Sequence, residues 1–89
     1  MRKRGPVLEI AERFDLPPEA VAGVPKVTLT GSRRVLIENH RGLREYSREC
    51  VEINGGRIRI RLQGQGLELR AMDAGDILLT GDIFTVEFL

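Results

Sequence analysis

From Lys26 to the end of the chain, apolar and polar residues alternate with a period of two. Val27 and Leu29 alternate with Thr28 and Thr30. Val35 and Ile37 share one side, as do Val51 and Ile53. Ile58, Ile60 and Leu62 alternate with Arg57, Arg59 and Arg61 in the cleanest run. Leu67 and Leu69, then Ile77 and Leu79, then Phe84, Val86 and Phe88 complete the pattern. Strict alternation is the signature of half-buried strands with one apolar face. Glycine or Asn-Gly separates successive runs, as short strands joined by tight turns require.

Upstream the period changes. Val7, Ile10, Ala11 and Phe14 fall at i, i+3, i+4 and i+7, the apolar stripe of a helix. Pro6 suits a first helical turn, and Pro17-Pro18 forbid continuation. Residues 1–25 therefore read as a basic tip, an amphipathic helix and a Pro-rich turn, and residues 26–89 as a β domain. The predicted fold is mainly β: a short N-terminal helix, packed on the sheet or at its edge, followed by an antiparallel β-meander. The meander is an open sheet or small sandwich. Strands recurring every 8–11 residues, with glycine between them, leave solenoid-like stacking as an alternative.

Three tight turns test the register. A two-residue turn at Asn54-Gly55 sets Val51 opposite Ile58 and Glu52 opposite Arg57. A turn at Gly64-Gln65 sets Leu62 opposite Leu67, Ile60 opposite Leu69 and Arg61 opposite Glu68. A turn at Gly81-Asp82 sets Leu79 opposite Phe84 and Ile77 opposite Val86. All three pair apolar with apolar, and a one-residue slip would put every apolar side chain on the wrong face.

Length and charge narrow the functional classes. A chain of 89 residues is one small domain with a thin core. One cysteine, Cys50, forms no internal disulfide and fits a reducing cytoplasm. The net charge of +1 is not the strong basic excess of a nucleic-acid-binding domain. The segment after the basic Arg2-Lys3-Arg4 is interrupted by Glu9, Glu12 and Arg13, which argues against a signal peptide. Peripheral contact of this N-terminus with an anionic membrane surface is a minor alternative.

Candidate chemistry is sparse. Cys50 and His40 could form a dyad in principle, but no nucleophile elbow is present. One His and one Cys fall short of the ligands a zinc site needs, so neither a metal nor a cofactor is expected. No phosphate-binding loop motif occurs. Arg57, Arg59 and Arg61 would line one strand face as a basic interface. Their expected partners are Glu52 and Glu68. The alternative function, a nucleic-acid-binding module, lacks the aromatic platforms that single-strand binders use. "ENHRG" at residues 38–42 reads as a polar hairpin loop, with Glu38 and Arg41 placed to bridge across it.

These residues carry a resemblance. "P-x-[VI]-T-[LM]-x-G" at Pro25 to Gly31 and "IENHRG" followed by "EYS" at Ile37 to Ser47 resemble the YabP/YqfC family of sporulation proteins. The resemblance extends over roughly residues 16–89. "LRAM" departs from it by lacking a glycine, and Arg44 stands where an aliphatic residue is usual. The resemblance implies a non-enzymatic protein in the cytoplasm of the mother cell of endospore-forming bacteria, with no cofactor. Glu38, Asn39, His40, Arg41, Gly42 and Tyr46 are the family signature, as an internal clamp or an interface. The expected partners are a second copy of the chain, other sporulation proteins, or both. The terminal run "FTVEFL" is the expected edge for such association.

Overall fold

The structure, a computed structural model, describes residues 23–89. The helix and Pro-rich turn expected before Gly23 lie outside the described residues. Six strands follow: β1 (Lys26–Thr30), β2 (Arg34–Glu38), β3 (Leu43–Tyr46), β4 (Cys50–Asn54), β5 (Arg59–Met72) and β6 (Asp76–Phe88). They form one open antiparallel sheet in the order β1-β2-β6-β5-β4-β3. The alternation thus predicts the sheet correctly, and the short strands do not stack as a solenoid.

One connection departs from a meander. β2 and β3 stand four positions apart, yet only residues 39–42 join them. In a flat sheet that separation would be about 19 Å, at about 4.8 Å per strand. Five Cα steps reach about 18 Å only when fully extended. Asn39 (φ +65°) and Gly42 (φ +125°) turn this link, so it falls short of that reach. The sheet must curl. Its first half holds β1, β2, the start of β6 and the end of β5. Its second half holds β3, β4, the start of β5 and the end of β6.

Both halves turn apolar sides into one core. Val35, Ile37, Ile77 and Leu79 come from the first half, and Val51, Ile53, Ile60 and Leu62 from the second. Leu67 joins them from the bend in β5. All are buried, and burial of each such side chain contributes about 1.5–3 kcal/mol. Their inward orientation is the one the alternation predicts.

The expected turns at Gly64-Gln65 and Gly81-Asp82 are not turns. β5 and β6 run straight through them as one long hairpin, bent at a common waist. Register shifts flank the waist, with Phe84 the extra residue on β6. Glycine serves close approach here instead of chain reversal. A Cβ on Gly64 would lie 1.9 Å from the Asp82 carbonyl oxygen, and one on Gly81 would lie 2.6 Å from that of Gly66. The actual reversal is Asp73–Gly75, where the Asp73 carboxylate accepts from the amides of Gly75 (2.9 Å) and Asp76 (2.6 Å). The Asn54-Gly55 turn is also wider than expected. Residues 55–58 form the loop, so Val51 faces Leu62 and Glu52 faces Arg61. Arg61 is therefore not opposite Glu68.

Two glycine substitutions separate crowding from backbone strain. Gly66 has φ +62° but open space around its would-be Cβ, so Gly66→Ala costs about 1–2 kcal/mol. Gly64→Ala must push a backbone carbonyl aside and costs more. Urea unfolding midpoints of the two variants should fall in that order.

Candidate functional site

The signature segment builds the link between the sheet halves, not a hairpin loop between neighbouring strands. Asn39 takes a left-handed conformation, which its short polar side chain tolerates. Its side-chain amide donates to the Val24 carbonyl at 3.3 Å. His40 is buried, with 6% of its surface exposed. Its backbone amide donates to the Gly75 carbonyl at 3.1 Å, and that of Arg41 donates to Asn54 at 2.7 Å. The imidazole closes the same joint. Nδ1 accepts from the Gly42 amide at 2.9 Å, so the proton sits on Nε2, which donates to the Asp73 carbonyl at 2.8 Å. Both ring nitrogens are thus engaged with backbone. Glu38 and Arg41 form no ion pair with each other.

Tyr46 and Ser47 fasten a second joint. The Tyr46 hydroxyl accepts from the Leu69 amide at 3.1 Å and lies 3.4 Å from the Leu67 carbonyl. A side chain of β3 thereby occupies backbone groups on the outer edge of β5. Ser47 Oγ accepts from the Cys50 amide at 2.9 Å and shapes the β3–β4 turn. That turn also meets the waist: the Gly64 and Leu67 amides donate to the Glu49 and Arg48 carbonyls.

The arginine run surrounds a carboxylate. Glu52 is buried on the outer side of the second half, with Arg44 at 3.2 Å, Arg61 at 3.1 Å and Arg59 at 3.6 Å. Arg61 also reaches Glu87 at 3.9 Å. Burial raises the Glu52 pKa, but the hydrogen bonds from Arg61 and Arg44, with Arg59 nearby, outweigh it and leave it below the ordinary value. Arg59 and Arg61 therefore spend charge on Glu52. Arg57 sits exposed in the β4–β5 loop, outside this cluster. Glu68 pairs with Arg48 (3.8 Å) and Arg70 (3.2 Å), away from Arg59 and Arg61. Arg44, whose side chain the alternation alone leaves without a partner, is the member of the cluster that sequence reasoning missed.

No hydrogen bond joins Cys50 to His40. Burial, then the nearby Glu45, pushes the Cys50 thiol above its ordinary value, which disfavours the nucleophilic thiolate. Among the described residues no group of His, Cys, Asp and Glu is placed to hold a metal ion. Among the same residues no helix is long and apolar enough to cross a membrane.

The remaining feature is an edge. Residues 84–88 pair with β5 on one side only. Leu89 and Arg59 exchange both backbone hydrogen bonds, at 2.8 and 3.1 Å. By alternation the backbone groups of Glu87 and Thr85 point toward β5, and those of Phe88 and Val86 point away. Among the described residues no strand takes up the outward groups. Phe84 is 65% exposed and Phe88 62%. Phe88 shares the face of Ile60 but stands beyond the reach of the core. The other edges are blunted. β1 opens on Lys26, β3 has four residues and carries Arg44 and Glu45, and Tyr46 shields the end of β5.

The YabP family profile matches residues 22–89. A protein of Bacillus subtilis (strain 168) named "Uncharacterized protein YqfC" is 28% identical over 80 residues, covering 90% of this chain and 86% of that protein. No solved structure matches significantly.

Two measurements probe the joints. His40→Ala leaves the Gly42 amide and Asp73 carbonyl without their partner, at a cost of about 1–3 kcal/mol. Its melting temperature should fall with no change in oligomeric state. Asp73 also titrates below its ordinary value, held there by the Asp76 and Gly75 amides. For Glu52 and Asp73 the folded pKa is below the unfolded one, so their stabilisation is present above about pH 4 and lost as pH falls through the folded values. Glu52→Gln and Asp73→Asn should be less stable at neutral pH and show a flatter loss on acidification, read from denaturant midpoints against pH.

Proposed function

Since this chain belongs to the YabP family, a sporulation-related family, we propose that it works by assembly and not by catalysis. The proposed setting is the mother-cell cytoplasm of an endospore-forming bacterium. The proposed act is pairing of the 84–88 edge with another strand, first of all that of a second copy.

One observation carries this reading: a strand edge with outward backbone groups and two exposed phenylalanines in a thin-cored domain. An added strand would satisfy the groups of Val86 and Phe88 and cover the Phe88 ring. Main-chain bonds supply affinity in such strand addition, and alternate side chains supply specificity. Only Glu87 is charged in the run, so little repels a partner. The signature residues support the reading indirectly. His40 is buried and Tyr46, though 45% exposed, holds β5 through its hydroxyl, so both side chains are engaged in joining the halves.

Light scattering coupled to size exclusion tests it. The wild-type chain should exceed its 10.0 kDa monomer mass, increasingly so at higher concentration. Phe88→Pro removes the exposed ring and an outward donor, and proline is tolerated on edge strands. It should be monomeric with a melting temperature near wild type. A wild-type monomer at all concentrations overturns self-assembly.

A further inference from the structure

The two outer faces of the sheet differ in chemistry. On the second half the outer face is polar, built on Glu52, Arg61 and Glu87. On the first half the outward positions include Leu36, Leu78 and Ala71, which stand side by side in register. The strands there read "VLI" and "ILL", apolar on both faces. Such continuous runs belong to strands covered on both sides. Yet Leu36 and Leu78 are only half-buried, Ala71 is exposed and Met72 is 46% exposed. Together with Asp73 and Asp76 they line a depression of about 300 Å³. Glu38 lies opposite Asp76, so one end of this apolar face has an acidic lip.

We propose that residues 7–16 of the same chain lie across this face, with Val7, Ile10, Ala11 and Phe14 against Leu36, Leu78 and Ala71. Three observations point to this occupant. The segment carries an apolar stripe of matching size. It follows the basic Arg2, Lys3 and Arg4, which are opposite in charge to the acidic lip, while its own Glu9, Glu12 and Asp15 outnumber Arg13 and belong on the polar side, away from that lip. Its attachment is close by: Val24 is held by Asn39, and the neighbouring His40 contacts the Asp73–Gly75 turn. Residues 17–22 can span about 20 Å when extended, longer than a five-residue strand of about 17 Å. The tether is therefore long enough to let the segment run back along the length of these strands. This surface is separate from the 84–88 edge, so the two proposals stand or fall independently.

Paramagnetic broadening in the full chain tests it. A nitroxide is attached through Glu12→Cys, on the polar side of the segment, in a Cys50→Ser background. The amide signals of Leu36, Ala71 and Leu78 should lose most of their intensity. Adding Phe14→Asp should restore them, with the rest of the sheet spectrum unchanged. In a mixture of isotope-labelled chain without nitroxide and unlabelled chain with nitroxide, those signals should stay intact. Full intensity at all three positions in the first sample overturns the proposal. Equal loss in the mixture overturns it in favour of a second copy, and loss centred on residues 84–88 overturns the choice of face.

Discussion

The fold depends on how closely β5 and β6 approach at their waist. With no side chain at Gly64, the Asp82 carbonyl can sit where a Cβ would be. Gly81 does the same for the carbonyl of Gly66. That approach lets two long strands bend together at the register shifts and resume their pairing on either side of the waist. The bend is what turns one sheet into two halves that share a core. A flat sheet of these strands would expose its apolar face to water, and a domain of this size has no second layer among the described residues to cover it.

The bend then has to be held, and the signature residues hold it. His40 joins the β2–β3 link to the Asp73–Gly75 turn through both ring nitrogens. Tyr46 joins β3 to the outer edge of β5. These contacts go to backbone groups, which must be paired when they leave water. Glu52 with Arg44, Arg59 and Arg61 organises the outer face of the second half in another way, by gathering arginines around a carboxylate. Among the described residues, His40, Tyr46 and Glu52 are thus engaged in the architecture of the sheet itself. Its exposed surface includes an edge with phenylalanines and an apolar face with an acidic lip.

Strand orientation and burial are legible in the amino-acid order, because alternation sets which side chains point inward. The nine core residues follow from it. Register is not legible in the same way. A tight Asn54-Gly55 turn would set Val51 opposite Ile58, and the wider loop sets it opposite Leu62. That shift is even, so every side chain keeps its face and the apolar pairing looks equally good. Gly64 and Gly81 resemble turn residues for a related reason. Glycine is needed both where a chain reverses and where two backbones crowd, and only the neighbouring strand distinguishes the two. The Asp73–Gly75 reversal has a local signal, an aspartate followed two residues later by glycine, which the glycine pattern obscures.

The candidate site shows the same division. Residue order suffices to make "ENHRG" polar, to permit left-handed backbone at its Asn and Gly, and to leave too few ligands for zinc. It also suffices to put the arginines of β5 on one strand with an apolar face between them. Only the folded sheet makes residues 39–42 cross between its halves, buries His40 there, and brings Arg44 to Glu52 beside Arg59 and Arg61. The difference is one of range. Periodicity and turn chemistry act over a few residues, whereas His40 finds Asp73 and Tyr46 finds Leu69 only after the sheet has curled.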